Sequence, residues 1–162
     1  MIRTFSLLAL LFYPFLGACE APLAVDIKRL TLESANKIAW GAIEECRKKG
    51  IQIGVVVMDR GGHPQVVLRD TLAADLTLAI AQKKAYTALS FNVPTANLTT
   101  QRMNSGLAQH DALLMSVGGI PIHAGGIIYG SVGVSGAPNG EDDAKCAQAG
   151  INLLLKELDF DN

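Results

Sequence analysis

The side chains near the end of one predicted helix have the chemistry to bind a flat, amphiphilic ligand. Within the predicted helix Leu76–Phe91, Lys84, Thr87 and Phe91 recur at i, i+3 and i+7 and therefore lie along one side. A lysine can pair with a carboxylate, and an aromatic ring can stack on a macrocycle. The alternative is a helix that packs its ring inward and leaves the lysine in water. The same stretch also contains Lys83, Tyr86 and, just after the helix, Thr95.

Three histidines, His63, His110 and His123, are candidates for holding a metal because imidazole is the commonest metal ligand in proteins. His63 stands in a Gly-Gly turn, where it is exposed and can approach a ligand. His110 opens an ambiguous segment, and His123 alternates with Ile122 on a predicted strand. For each of them an ordinary surface histidine is the competing interpretation. No two histidines have the spacing of a helical metal clamp and the cysteines are scattered, so a tetrahedral zinc site is not expected.

Other active-site patterns fail on single residues. Gly133–Ala137 lacks the second glycine of a G-x-S-x-G nucleophile elbow, because Ala137 stands in its place. The glycines of residues 130–136 do not form a dinucleotide fingerprint, since no parallel βαβ unit surrounds them. Glu141-Asp142-Asp143 is best explained by the positive end of a helix dipole, with a carboxylate metal site as the minor alternative.

The composition is typical of one ordinary domain and argues against nucleic acid as a partner. The chain has 162 residues, of which 49% are apolar and 18% charged, which is enough for a sizeable core. A net charge of −1 leaves no basic stripe that could neutralise phosphates. Nucleic acid is therefore not expected to bind.

Residues 1–18 have the pattern of a secretory signal peptide. One arginine precedes the apolar run Phe5–Phe15, which is too short to span a bilayer. The ending Leu16-Gly17-Ala18-Cys19 resembles a bacterial lipobox and predicts a lipid on Cys19, while ordinary cleavage after Cys19 is the alternative. We expect an extracytoplasmic protein, periplasmic or membrane-anchored, that meets the membrane only through this lipid. Residues 19–28 would form a tether and residues 29–160 the folded domain.

The other two cysteines bear on the same question. Cys46 lies on the apolar face of the first predicted helix, and Cys146 lies on the last. An oxidising compartment would permit a disulfide between them. Buried cysteines this far apart in sequence are more often unpaired, and the sequence supplies no distance test. Two unpaired core cysteines are the prediction, and a disulfide is the alternative.

The glycine-rich stretch Gly118–Gly136 predicts the central hairpin of the fold. Its two apolar runs flank Ala124–Gly126, where glycines allow a tight turn. Gly130 and Gly133 lie inside a strand, where glycine weakens the ladder. They predict that a helix, a partner subunit or a flat ligand packs closely on bare backbone, and helix packing is the simplest of the three.

The remaining elements follow from periodicity and from glycine or proline stops. The predicted helices are one from Thr31 to the stop at Gly50, Leu76–Phe91, a short one over Thr95–Met103, and one from Glu141 to about Leu158. The predicted strands are Ile51–Met58, Val66–Arg69, Ile120–His123 and Ile127–Val134, and Leu107–Val117 stays ambiguous. Two hairpins among helices predict a single α+β domain with an antiparallel sheet.

The predicted helices also suggest self-association. They are rich in alanine and glycine, and Trp40 falls off the apolar stripe of the first helix. Such surfaces would leave apolar area exposed on a monomer, so we expect a homo-oligomer, at least a dimer. Trp40 would then be an interface residue, a ligand wall or a rim residue that covers the sheet.

An ordered set of short motifs covers nearly all of the predicted domain. The motifs are Leu30-Thr31-Leu32, Val57-x-Asp59-x-Gly61-Gly62-His63, Lys84-Ala85-Tyr86-Thr87-Ala88, Pro94-Thr95, Gly118-Gly119-Ile120-Pro121-Ile122, Gly130–Gly136, Asp142-Asp143 and Cys146-Ala147-x-Ala149-Gly150. Each motif alone is weak. The ordered set resembles the GlcG/HbpS-like haem-binding family, which includes the C-terminal domain of the PduO corrinoid adenosyltransferases.

The resemblance implies a compact α+β domain with a five-stranded antiparallel sheet flanked by helices, assembled into dimers, tetramers or octamers. It implies haem as the cofactor, with His63 as the candidate axial ligand of the iron. Lys84 would pair with a propionate and Phe91 would stack on the macrocycle. A hydroxyl such as that of Thr87 or Thr95 is the alternative iron ligand.

The expected function is that of an exported haem (tetrapyrrole) binding protein, which scavenges, buffers or degrades haem. The resemblance leaves catalytic turnover open, because many members of the family have no established activity. The alternative is an enzyme or accessory protein that acts on a small organic acid such as glycolate.

Overall fold

The computed structural model describes residues 21–98 and 105–160. The helices are α1 (Leu32–Arg47), α2 (Leu76–Phe91), α3 (Gly140–Asn152) and α4 (Leu155–Phe160). The strands are β1 (Gly54–Asp59), β2 (Pro64–Arg69), β3 (Gly119–Ala124) and β4 (Ile127–Ser135), and short 3-10 turns cover Thr95–Asn97 and Gly106–Gln109.

The two hairpins lie side by side in one antiparallel sheet with the strand order β2-β1-β4-β3. The predicted α+β domain with an antiparallel sheet is confirmed. The expectation of five strands is wrong for the part of the chain that the structure describes, where the sheet has four. Each hairpin supplies two strands, and no other described segment pairs with an outer edge of the sheet.

Alternation along the central strands separates two cores. In register, Val55 pairs with Val134 and Val57 with Val132, and these four side chains belong to the large core under α1 and α3. The alternate residues of β1 point to the other face, where they meet α2. The small core on that face consists of Val56, Met58, Ala81 and Ala85. Both faces of the sheet are therefore covered, but very unequally.

Helix α2 lies directly on the backbone of the central hairpin. A Cβ atom on Gly133 would collide with the carbonyl oxygen of Ala81, and one on Gly119 would collide with that of Lys84. Ser131 adds a hydrogen bond from its Oγ to the carbonyl oxygen of Ala85 at 2.8 Å. Of the three explanations for glycine inside this strand, helix packing is the one found at Gly133.

Helices α1 and α3 approach each other equally closely on the opposite face. A Cβ atom on Gly150 of α3 would collide with the carbonyl oxygen of Ile38 in α1. Beside this contact, Cys46 and Cys146 form a disulfide, with their Cα atoms 5.6 Å apart and both residues fully buried. The prediction of two unpaired cysteines is wrong, because small residues at the crossing bring the helices within disulfide range.

Several local predictions meet the structure with shifted boundaries. Thr31 caps α1 through a hydrogen bond from the Ser34 backbone N–H to its Oγ1. The predicted last helix is interrupted near Leu153 and becomes α3 and α4. In the described part of the predicted helix Thr95–Met103, Thr95–Asn97 form a 3-10 turn that ends at Leu98. Residues 99–104 lie outside the described part of the chain.

The predicted signal peptide, residues 1–18, and Cys19 also lie outside the described residues. Residues 21–28 carry neither helix nor strand. No helix among the described residues is both long and apolar enough to cross a bilayer.

Candidate functional site

A groove follows the outer side of α2, between that helix, the turn after β1 and the segment 107–113. One part is a cavity of about 390 Å³ lined by Met58, Gly62, Ala79, Gln82, Lys83, Tyr86 and Ala112. The next part is a cavity of about 230 Å³ lined by Tyr86, Ser90, Phe91, Leu107, His110 and Leu113. Tyr86 lines both cavities, so they adjoin. We call the two together the α2 groove.

The periodicity of α2 determines which of its residues reach this groove. Ala81, Ala85 and Ala88 are fully buried because they face the sheet. Lys83 and Tyr86, three residues apart, lie on the exposed side and line the groove. The helix therefore presents a cation next to an aromatic ring, with the apolar Met58 as part of the wall.

Lys84, by contrast, is buried in an ion pair that joins the two faces of the sheet. Its Nζ lies 2.8 Å from Oδ2 of Asp143 at the start of α3, and both side chains are 4% exposed. Nζ also donates to the carbonyl oxygen of Val134 at 3.1 Å, and Oδ1 of Asp143 accepts from the Ala137 N–H at 2.9 Å. Lys84 is thus neither a groove cation nor a solvated lysine.

Two opposing effects act on the pKa of Asp143, the acidic partner of this pair. Burial raises the pKa of the Asp143 carboxyl above its ordinary value, although the hydrogen bond and the charge of Lys84 both act to lower it. Asp143 shares the first turn of α3 with Glu141 and Asp142, where a negative charge suits the helix dipole. The pair has a structural role, because the two buried charges neutralise each other and link α2 to α3.

The two candidate threonines form hydrogen bonds with the backbone instead of facing the groove. Thr87 is fully buried; its Oγ1 donates to the Lys83 carbonyl oxygen and accepts from the Leu114 N–H at 2.8 Å. Thr95 is 2% exposed, and its Oγ1 bonds both the N–H and the carbonyl oxygen of Gly119. Thr87 secures the far wall of the groove, and Thr95 secures β3.

The turn after β1 carries the first candidate histidine, next in sequence to a glycine that lines the groove. Gly62 has a φ of +83°, a conformation that favours glycine, and a Cβ there would lie 3.2 Å from the Tyr86 ring. The next residue, His63, has a side chain that is 79% exposed. An accessible imidazole therefore follows directly on a glycine that lines the groove.

Asp59 organises this turn from a buried position. Its Oδ1 accepts the backbone N–H of Gly61 at 2.8 Å and that of His63 at 3.0 Å, and Oδ2 lies 3.4 Å from Nη1 of Arg29. Burial acts to raise the pKa of the Asp59 carboxyl. The backbone N–H groups and the positive charge of Arg29 outweigh burial, so its pKa lies below the ordinary value.

The other two histidines occupy different places. His110 is exposed and lines the second cavity of the groove, where its Nδ1 accepts the Ala112 N–H at 3.2 Å. His123 is exposed on the edge strand β3 and lines a separate cavity with Pro94 and Pro121. Among the described residues, no group of three or more His, Cys, Asp or Glu side chains is arranged to hold a metal ion.

The structure thus places His110 and Phe91 in the α2 groove and sets His63 in the adjoining turn, next to the groove-lining Gly62. It buries Lys84, Thr87 and Thr95, none of which lines the groove. The sequence analysis named Lys83 in this stretch and Asp59 in a motif, but it gave neither of them a role in the site. The sequence held a signal that distinguishes Lys83 from Lys84. Ala81, Ala85 and Ala88 mark the side of α2 that faces the sheet, and residue 84 lies on that side whereas residue 83 does not. No local signal could have revealed Asp143, which is 59 residues from its partner.

Comparison with known proteins identifies the family. The family model described as "Haem degrading protein HbpS-like" matches residues 30–152. Protein GlcG of Escherichia coli is 33% identical over 108 residues, which are 65% of this chain and 81% of GlcG.

Solved structures agree with the sequence match. A double mutant of HbpS from Streptomyces reticuli is 36% identical, with a TM-score of 0.76 over 85% of this chain and 94% of that one. A PduOC:heme complex shares the fold at 24% identity, with a TM-score of 0.69 over 76% of this chain and 94% of that one. This chain therefore belongs to the HbpS-like family.

Proposed function

We propose that this chain is an exported protein that binds haem, or a closely related tetrapyrrole, in the α2 groove. Scavenging, buffering or degrading haem are the roles that such binding would serve. Membership of a family described by haem degradation supports the ligand. The observation that carries the site is a groove with an exposed lysine and an aromatic wall, lined by the glycine that directly precedes an exposed histidine.

The residues of the groove fit the three chemical parts of haem. The macrocycle needs apolar and aromatic walls, which Met58, Ala79 and Tyr86 provide. The propionates need a cation, and Lys83 takes the role that Lys84 cannot fill. The iron needs a donor atom, and the exposed His63 directly follows Gly62, which lines this cavity. When bound, haem iron would supply redox chemistry at the groove.

His63 is the proposed axial ligand, with His110 as its competitor. His63 follows Gly62 at the larger cavity, whereas His110 lines the smaller one. His123 lies on the edge strand outside the groove, so it serves as a control. The hydroxyl groups of Thr87 and Thr95 already form hydrogen bonds with the backbone, which argues against either of them as the iron ligand.

The test is a hemin titration followed through the Soret band. His63→Ala removes an exposed side chain and should leave the domain folded. The variant should bind hemin more weakly and with a shifted Soret maximum, while His123→Ala should behave as the wild type. If His63→Ala titrates as the wild type and His110→Ala does not, the ligand is His110. If the wild-type protein gives no Soret band with hemin, haem binding itself is wrong.

We also propose that the mature protein is exported and carries a lipid on Cys19. The signal-like residues 1–18 support export, and so does the buried disulfide, because such bonds persist mainly in oxidising compartments. Cys19→Ser should release the protein from the membrane fraction with its fold intact. Absence of label from a fatty-acid probe would disprove the anchor without disproving export.

We propose that the chain self-associates as at least a dimer. Trp40, Val67 and Leu76 are 45%, 47% and 61% exposed, which leaves apolar area on a single copy. Light scattering at micromolar protein should give a multiple of the chain mass. A monomeric mass would contradict this proposal without touching the haem site.

The alternative, an activity on a small organic acid such as glycolate, has less support in the site. A small carboxylate is best held by a cation in a closed pocket. The buried cation of α2, Lys84, is already neutralised by Asp143. A broad groove with an aromatic wall suits a large flat ligand better.

A further inference from the structure

We propose that Asp59 is a positioning residue for His63, accepting a hydrogen bond from Nδ1–H so that Nε2 is the atom presented to iron. This inference rests on the proposed function, in which His63 ligates haem. It adds a second residue to the site, one that touches neither the ligand nor the iron. Nothing in the comparisons assigns a role to this carboxylate.

The carboxylate of Asp59 is fixed with respect to the turn that carries His63. The residue is 5% exposed, and its Oδ1 accepts two backbone N–H groups, those of Gly61 and of His63 itself. Its Oδ2 faces Arg29 at 3.4 Å. With both oxygens occupied, the carboxylate cannot turn away from the histidine that follows it in the turn.

The imidazole lies just outside hydrogen-bond range of the same oxygen. Nδ1 of His63 is 3.6 Å from Oδ1 of Asp59, and the ring is 79% exposed and therefore able to rotate. Histidines that ligate metals generally donate their second ring N–H to a carboxylate or a carbonyl oxygen, which selects the tautomer and orients the ring. A small rotation of His63 closes this contact and leaves Nε2 directed outward.

Gly61 keeps the space between the two groups open. A Cβ atom built on Gly61 would lie 3.1 Å from Nδ1 of His63 and 3.2 Å from Oδ1 of Asp59. A methyl group there would stand between the ring and the carboxylate. Because the φ of Gly61 is not positive, alanine can adopt its backbone conformation without the strain that a left-handed φ imposes.

Two substitutions therefore disturb the same contact in different ways. Asp59→Asn weakens the acceptor while it preserves the size of the side chain, and Gly61→Ala preserves the carboxylate but wedges it away from the ring. The matched control is Asp70→Asn, which alters another buried carboxylate that is ion-paired with Arg47 outside the haem groove. The second variant keeps the test decisive if Asp59→Asn does not fold.

The measurements are hemin affinity and the iron–histidine stretching band in resonance Raman spectra of the dithionite-reduced complex of the full-length protein. Loss of a carboxylate behind a ligating histidine typically weakens the metal site by about 10–100-fold. We expect Asp59→Asn to lose about tenfold in hemin affinity and to lower the frequency of this band. Gly61→Ala should shift both in the same direction by less, and Asp70→Asn should shift neither.

The outcomes separate this inference from the proposed function. If His63→Ala weakens hemin binding while folded Asp59→Asn and Gly61→Ala match the wild type in affinity and band position, Asp59 has no positioning role and the haem site stands. If His63→Ala itself matches the wild type, the assignment of His63 and the role of Asp59 both fall. If Asp70→Asn changes the spectrum as much as Asp59→Asn does, the effect comes from general loosening and the inference is wrong.

Discussion

The two faces of the sheet are built for different purposes. On one face, α1 and α3 cover a continuous core, cross at Gly150 and are joined by the Cys46–Cys146 disulfide. On the other face, α2 lies on bare strand backbone over a core of only four buried side chains. We call the first face the closed face, because two helices cross-linked by a disulfide cover its core, and the second face carries the α2 groove along its helix.

This difference separates stability from binding. Substitutions on the closed face should change the free energy of unfolding. They create cavities or collisions, or they remove the disulfide that restricts the unfolded chain. Substitutions in the α2 groove should change ligand affinity and leave stability nearly intact. The buried pair of Lys84 and Asp143 connects the two faces, so it should show the largest effect of all.

Breaking that connection is the most severe test. Lys84→Met removes one partner of a buried ion pair and leaves the Asp143 carboxylate uncompensated, which typically costs about 3–5 kcal/mol. We expect a loss of that size in the free energy of unfolding from urea denaturation.

The neighbouring carboxylate supplies the control. Asp142 pairs with Lys49 at 2.7 Å, but the two side chains are 22% and 36% exposed. Lys49→Met should cost no more than about 1 kcal/mol, as is usual for exposed pairs. The double variant Lys84→Met/Asp143→Leu should recover most of the lost stability. Equal losses in the free energy of unfolding for Lys84→Met and Lys49→Met would show that the buried ion pair does not hold the two faces together.

The disulfide should give the next largest effect. It closes a sequence separation of 100 residues, and removing a native disulfide from a small secreted domain typically costs about 2–5 kcal/mol. The variant Cys46→Ala/Cys146→Ala should unfold at a lower urea concentration than the oxidised protein. Mass spectrometry of the untreated protein should find no free thiol at either position. Two alkylatable thiols would restore the prediction of unpaired cysteines.

The crossing of α1 and α3 should be sensitive to a single methyl group. Gly150→Ala places a Cβ atom against the carbonyl oxygen of Ile38, and overpacking of this kind costs about 1–3 kcal/mol. Gly106→Ala is the matched control, because no atom lies within 4 Å of its Cβ position. Its effect should stay within about 0.5 kcal/mol. A harmless Gly150→Ala would mean that the closed face tolerates movement.

The structural features that depend on short-range periodicity could be predicted from the sequence. The bounds Leu76–Phe91 of α2 match the prediction, and so does the hairpin around Ala124–Gly126, while α1 begins one residue after the predicted start at Thr31. These features follow from spacing, capping and turn chemistry within a few residues.

The features that failed depend on which elements meet across the fold. Cys46 finds Cys146 a hundred residues away, and Lys84 finds Asp143 on the opposite side of the sheet. A helical wheel shows that residues 83 and 84 point in different directions, but only the partner reveals which of them is neutralised. The sequence therefore points to helix α2 and the turn after β1, where the groove lies, but its candidate cation Lys84 is buried in an ion pair and does not line that groove.

The smallest expected effect tests that last distinction. Lys83→Gln removes an exposed charge from the groove and should leave the free energy of unfolding within about 0.5 kcal/mol of the wild type. If Lys83 pairs with a propionate at this exposed site, the variant should lose roughly two- to fivefold in hemin affinity, as expected for a contact worth about 0.5–1 kcal/mol. High salt should shrink the difference, because exposed charges are screened. Lys145→Gln on α3, also exposed, is the matched control and should bind hemin as the wild type does. Equal losses for the two variants would indicate a general electrostatic attraction of hemin and would remove Lys83 from the site.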